Sequence, residues 1–355
     1  MIPEAGINIG EPPSDFSFII FNNQTIISNK DGCAMWSRIL MQDESTALIY
    51  DCTIKDAYIG IENNADLSSF MAIYNNNFIN NYVGMHLKDM FALSSFYGNT
   101  FSFNESLDDI GGIIDVFPDP NNEQGFDMSR AFTGIHIDNT IFAPQNSNGS
   151  PNQFINLANG ITIDNSDVNI SNCRFQDMFE GPYTNDGGNG ILFESDGSNT
   201  MTQTGLGLVN TVPNTFDNCE TGVRVLAGGP MVQFTSTDNW MQNMEAGYRM
   251  TPDDGGHVGI NISDKSLIFN NDITAFDVGI NFFNNEGIES FLDIHNNDIT
   301  IFDIGNDARV GINMTNDEII LPHDIDVFDN TIDIDDGYYG VSLNEIMGVE
   351  VYNNN

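Results

Sequence analysis

Along this chain, apolar residues alternate with polar ones for a few positions at a time, and Asn, Asp or Gly closes each run. Period-two alternation over so short a stretch marks a half-buried strand. The runs themselves repeat. An apolar anchor is followed six positions later by Gly at Ile26/Gly32, Ile54/Gly60, Phe78/Gly84, Phe175/Gly181, Phe216/Gly222, Met241/Gly247, Ile273/Gly279 and Ile299/Gly305. Three more anchors, Phe101, Ile141 and Ile332, have a longer connection before their next Gly. Eight of eleven share one spacing, more regularity than a Gly-rich composition supplies. Asn stands two positions before the anchor at Asn76, Asn99, Asn139, Asn214, Asn239, Asn271, Asn297 and Asn330, with Gln24, Cys52 and Cys173 in the other places. After the Gly comes an apolar–x–apolar strand, whose middle residue faces outward: His86, His136, Thr162, Arg224, Asn261, Asn281 and Asn313 are examples.

The clean anchor intervals are 24, 23, 25 and 26 residues, and the 74 residues from Phe101 to Phe175 are expected to hold three turns through Ile141. Repeats of this length mean a solenoid. Strands rather than helices follow from the β-branched and aromatic content and the Asn/Gly/Asp punctuation. Each turn buries its apolar side chains only when the next stacks on it, about 4.8 Å further along the axis. Anchors are therefore expected to point inward. Asn is expected to take the left-handed conformation of a sharp corner and to hydrogen-bond from turn to turn, and Gly to bend the chain into the next sheet. Aromatics four positions before the anchor, at Tyr50, Tyr74, Tyr97 and at Phe269, His295, Phe328, Tyr352, predict stacked ladders; flat platforms for sugar rings are the second reading.

The pattern Asn–x–[Ile/Phe]–x5–Gly–[Ile/Val]–x–[Ile/Val] resembles the right-handed parallel β-helix repeat of the pectate-lyase-like superfamily. The resemblance covers residues 18–355 and leaves 1–17 as an N-terminal lead-in. It implies an all-β fold: a single-stranded right-handed parallel β-helix (β-solenoid) of about eleven coils, roughly 50 Å long. It implies little about activity, because this fold hosts lyases, hydrolases, phage tailspikes and adhesive surface proteins. Residues 351–355 repeat the pattern of 73–77, which runs directly into anchor Phe78, so the helix is expected to continue beyond residue 355.

Composition adds an extreme charge: 51 Asp+Glu against 10 Lys+Arg, net −41. Such a surface repels nucleic acid and anionic lipid or polysaccharide, and favours Ca²⁺ or a neutral or cationic partner. The four Cys show no CxxC spacing and are expected as buried thiols; a Cys33–Cys52 disulfide is the minor alternative. No apolar run is long enough for membrane insertion, and no basic segment precedes the strand-length run at 16–21 to make it a signal peptide.

Insertions are expected at one corner, between anchor and Gly strand, at 102–133, 181–189, 305–310 and 335–339. The first carries Asp108, Asp109, Asp115 and Asp119, weak Ca²⁺ candidates; solvated acidic loops are favoured because no EF-hand or Gly-rich nonapeptide spacing appears. No motif requires a cofactor. In the resembling enzymes the catalysts stand on or beside the outward column of the Gly strands, here Glu62, His86, His136, Thr162, Leu192, Arg224, Arg249, Asn261, Asn281, Asn313 and Ser342. A galacturonan hydrolase would show neighbouring carboxylates, Gly-His-Gly and Arg-x-Lys, and a lyase an Arg base beside a carboxylate Ca²⁺ cage. This column holds one acid. Asp253, Asp254 and His257 are the nearest approach to a catalytic group. Arg224 and Arg249 fall on adjacent turns, expected about 5 Å apart; His86 and His136 are expected two turns apart, with no third metal ligand. These four are the ligand-face candidates.

The function that fits is a non-enzymatic structural and adhesive module of a large secreted protein at the bacterial cell surface or in an extracellular filament. The chain resembles β-helix segments of such adhesins, which bind a glycan or protein of another cell, and its copies are expected to form a homo-oligomer or filament. A polysaccharide lyase or glycoside hydrolase and a trimeric phage tailspike are the alternatives.

Overall fold

Short alternating runs closed by Asn or Gly have no length or period for a helix, and in the computed structural model the regular elements are strands. The structure describes residues 6–9, 17–22, 25–28, 36–42, 45–64, 70–89, 93–104, 133–142, 149–179, 187–195, 202–206, 212–228, 232–252, 258–259, 265–284, 289–302, 309–316, 323–335 and 339–355. They fall into two units, 1–162 with 176–188, and 163–175 with 189–355.

In the first unit three kinds of parallel strand recur in turn. Anchor strands Ile26–Ile27, Thr53–Lys55, Asn77–Ile79, Thr100–Ser102 and Asn152–Ile155 align Ile27, Ile54, Phe78, Phe101 and Phe154 in one column. The rings of Phe78, Phe101 and Phe154 stack at 4.5 and 5.0 Å. Two expected anchors move. Ile26 faces out, 66% exposed, and Ile27 takes its place. Ile141 is also exposed, in the separate strand Ile141–Phe142, and Phe154 follows Phe101 directly. Gly strands Trp36–Met41, Ala57–Asn64, Val83–Lys88 and Thr133–Asp138 align Ile39, Ile61, Met85 and Ile135. Within the lead-in, Ile7–Ile9 already pairs with this set. Aromatic strands Ser17–Phe21, Ser45–Tyr50, Phe70–Tyr74 and Leu93–Tyr97 complete the coils.

The second unit repeats the scheme. Phe216, Met241, Ile273, Ile299 and Ile332 share the anchor column, and the Phe175 ring stacks on Phe216 at 4.7 Å. Ile191, Val223, Tyr248, Ile280, Ile312 and Val341 align in the Gly strands. The Gly strand expected at 260–262 does not enter the column of described strands: Arg249 pairs directly with Asn281, and Val258 bridges Val232 of the aromatic set. Residues 260–264 lie outside the described residues.

Two residue roles also change. In each unit the Asn two before the anchor forms a buried hydrogen-bond ladder. The Asn76 amide N–H donates to Asn99 Oδ1 and that of Asn99 to Asn152 Oδ1, both at 3.1 Å. In the second unit Asn239, Asn271, Asn297 and Asn330 each donate in the same way to the next, ending at Asn354. Asn214 joins through its side chain, 3.0 Å from Asn239 Oδ1. Asn152, not Asn139, is the ladder residue after Asn99. The left-handed residue is the one before the ladder: Asp51, Asn75, Gly98, Asn172, Asp238, Asn270, Asn296, Asp329 and Asn353 all have φ between 54° and 68°. A short polar side chain or Gly tolerates that conformation, while the neighbouring amide turns inward.

The glycines do not bend the chain. None of Gly84, Gly134, Gly190, Gly222, Gly247, Gly279 and Gly311 has positive φ. They admit close coil-to-coil approach: a Cβ on Gly279 would meet the Gly311 carbonyl oxygen at 2.6 Å, and one on Gly134 the Gly160 oxygen at 2.7 Å. Gly190 and Gly311 hold this place after Phe175 and Ile299; Gly181 and Gly305 lie outside the described residues. Stacked parallel strands with inward columns fit a β-solenoid.

Candidate ligand faces

Alternation turns the middle residue of each Gly strand away from the core. In the first unit this column is Leu40, Glu62, His86 and His136. Arg38 lies 2.6 Å from Glu62, and His86 Nδ1 lies 3.9 Å from the same carboxylate. His86 and His136 are direct partners, not two turns apart, because Thr133–Asp138 is the next Gly strand after Val83–Lys88. Their rings stack at 4.9 Å and 19°. Imidazole lone pairs lie in the ring plane, and two nearly parallel planes this far apart do not bring them onto one ion. Among the described residues no group of three or more His, Cys, Asp or Glu is arranged to hold a metal. Burial pushes the Glu62 carboxyl above its usual range against the pull of Arg38 and Lys88. Burial and then the neighbouring His136 hold His86 down to about 4, and burial lowers His136 as well. Both imidazoles are neutral at pH 7.

In the second unit the column is Leu192, Arg224, Arg249, Asn281, Asn313 and Ser342. Arg224 and Arg249 stand in register as expected. Glu245 pairs with Arg249 at 3.2 Å, and Asn313 Nδ2 donates to Asn281 Oδ1 at 3.0 Å. This row offers guanidinium and amide groups and no carboxylate, so it is equipped for hydrogen bonding rather than proton transfer. Asn261, Asp253, Asp254 and His257 lie outside the described residues, as do Asp108, Asp109, Asp115 and Asp119.

No family model, curated protein or solved structure matches this chain. Among the described residues no helix is long and apolar enough to cross a membrane.

On the aromatic strands, the predicted ladders form: Tyr50, Tyr74 and Tyr97 stack at 5.0 and 5.2 Å, and Phe269, His295, Phe328 and Tyr352 at 5.1, 4.7 and 5.1 Å. Ring faces stacked on one another are closed to sugars. The platform reading fails at the interior rings for that reason. Cys52, Cys173 and Cys219 are buried free thiols, and Cys33 lies outside the described residues.

One cluster escaped the sequence. Lys265 Nζ sits 2.9 Å from Asp293, 2.6 Å from Asp324 and 2.6 Å from Asp326. Burial alone would lower its pKa, but three carboxylates outweigh burial and hold the amine charged. The available signal was Asp293 and Asp326 at the same outward position on successive strands, a like-charge column that needs a cation.

His323 gives a pH prediction. It is 4% exposed, and its Nδ1 accepts the Ser290 amide N–H at 3.1 Å. Burial holds its pKa down to about 4. The unfolded chain takes up this proton near pH 6.5, and the folded chain only near pH 4. Stability is therefore complete above about pH 6.5 and falls by up to roughly 3 kcal/mol as pH drops to 4. Urea unfolding of His323→Asn, which keeps an acceptor for Ser290, is expected to lose that part of the slope; an unchanged slope would assign it elsewhere.

Proposed function

We propose that this chain is a right-handed parallel β-helix of about eleven coils of the pectate-lyase-like kind, serving as a non-enzymatic adhesive module of a large secreted surface or filament protein. The observation that carries the reading is the row Arg224, Arg249, Asn281, Asn313 and Ser342, an outward face of donors and acceptors with no carboxylate pair. Glycosidic cleavage by two carboxylates needs them roughly 5–9.5 Å apart. A neutral glycan on another cell's surface suits that row: it brings hydroxyls for the amides and no charge to be repelled by a chain of net −41. Ca²⁺ would bind in the acidic loops, not on this face. Purified chain on a panel of neutral polysaccharides is expected to bind without releasing product, and Arg249→Ala to weaken binding about tenfold, the loss of one charged hydrogen bond. Retention by no glycan and no cell type would sink the reading.

A polysaccharide-cleaving enzyme is the second reading, favoured by one observation. Glu62, His86 and His136 form a contiguous outward cluster of shifted protonation beside Arg38. On that reading Glu62→Gln abolishes product release from a cleaved glycan while binding persists.

A further inference from the structure

The four aromatic strands of the first unit, Ser17–Phe21, Ser45–Tyr50, Phe70–Tyr74 and Leu93–Tyr97, contain no charged residue and no histidine, in a chain with 51 Asp+Glu. Their inner side is ordinary core: Ala47, Ile49, Met71, Ile73 and Phe96 are buried. Their outer side is uncharged, with apolar residues beside the hydroxyls of Thr46 and Ser95. Ile20, Leu48, Ala72 and Ser95 share one column, and Thr46 pairs with Phe70 in the next. Ile20 is 46% and Phe70 49% exposed. The Tyr50, Tyr74 and Tyr97 ladder borders them, with Asn22 Nδ2 donating to the Tyr50 hydroxyl at 2.8 Å.

The fold does not demand this. In the second unit the position equivalent to Leu48 and Ala72, two residues before the aromatic column, holds Leu267 and then Asp293, Asp326 and Glu350. The same strand type carries a row of carboxylates there, two of them held by Lys265.

We propose that this uncharged face is where two copies of the chain meet, sheet against sheet. The charge pattern selects that occupant. A neutral or basic partner is accepted by an acidic surface anywhere, whereas a second copy of net −41 needs a patch that brings no carboxylates together. A glycan is the poorer occupant, because the tyrosine faces are used in stacking on one another, and Gly149 lies against the Tyr97 ring. Packed sheets sit about 10 Å apart, beyond the Debye length of about 8 Å at physiological salt, so repulsion from the rim is screened and weakens further with added salt. Four strands of about five residues span only roughly 300 Å² of flat area, against about 800 Å² per partner in stable complexes. The contact is therefore weak, suited to chains crowded side by side.

This gives the homo-oligomer expected from the sequence a contact surface, and it rests on strand composition, not on glycan binding. Sedimentation of the whole chain is expected to show dimer at roughly 0.1–1 mM, more at 0.5 M than at 0.05 M salt. Ile20→Asp and Leu48→Asp are expected to remain monomeric with unchanged circular dichroism and melting. Leu267→Asp, at the equivalent place in the second unit, is expected to dimerise like the parent. A parent chain monomeric throughout, or Leu267→Asp as disruptive as Ile20→Asp, would overturn the proposal. So would a monomeric parent whose capture of a glycan or another protein is lost in Ile20→Asp, which gives the face to that occupant. Loss of glycan binding in Arg249→Ala bears only on the adhesive reading.

Discussion

Alanine at Gly247 is expected to destabilise the second unit by about 3 kcal/mol or more, the upper range for a core that cannot yield. The added methyl would lie 2.6 Å from the Gly279 carbonyl oxygen and 2.6 Å from Ile273 Cγ2. One obstacle is the backbone of the next coil, held by its own ladder, and the other is a fully buried anchor. Neither can retreat without moving the coil stacked beyond it. Gly247 is not in the left-handed region, so the loss is steric and not conformational. The matched control is Gly340, where a methyl meets nothing within 4 Å. Gly340→Ala is expected to be neutral, or to stabilise by up to about 1 kcal/mol through the unfolded chain. Urea denaturation of both variants decides it. Equal effects would mean that the glycine column is not set by the distance between coils.

Leucine at Asn271 is expected to cost about 2–5 kcal/mol. Asn271 Oδ1 accepts from both the backbone and side-chain amide of Asn239, each at 3.1 Å, and its Nδ2 reaches Ser236 O, Phe269 O and Asn297 Oδ1. Leucine fills similar space but leaves the buried Asn239 N–H without an acceptor and withdraws the side-chain donor from Ser236 O and Phe269 O, while the Asn271 backbone N–H still reaches Asn297 Oδ1. Cys173→Ala is the comparison. Cys173 enters the ladder through its backbone N–H, which donates to Asn214 Oδ1 at 3.0 Å and survives the change. Its cost is expected to be about 1 kcal/mol, the loss of a small buried group. If the two variants melt alike, the amide column contributes shape and not hydrogen bonding.

The all-β class, the inward anchors, the ladder asparagines and the aromatic stacks were legible in the chain, because each is a local pattern of side-chain type repeated at nearly constant spacing. Phe78, Asn76 and Tyr74 carry a whole coil's instructions within a few residues. The corner residue was misread by one place because Asn and Asp crowd both positions, and only the backbone separates the strained residue, Asn75, from the buried one, Asn76. The glycines were misread because sequence reports that a side chain is missing, not whether a turn or a neighbouring coil requires it.

Which coil lies against which is a different kind of information. Phe101 meets Phe154, His86 meets His136 and Arg249 meets Asn281 because buried columns align whatever length of chain intervenes, and counting residues at a constant spacing cannot follow intervals that vary so widely. Lys265 finds three carboxylates on strands far along the chain for the same reason. The chain by itself determined what each coil is made of, since alternation and punctuation act within a few bonds. Only the tertiary structure decided the neighbours, and with them every outward face, because a face is a column across coils and its register is set by packing at a distance.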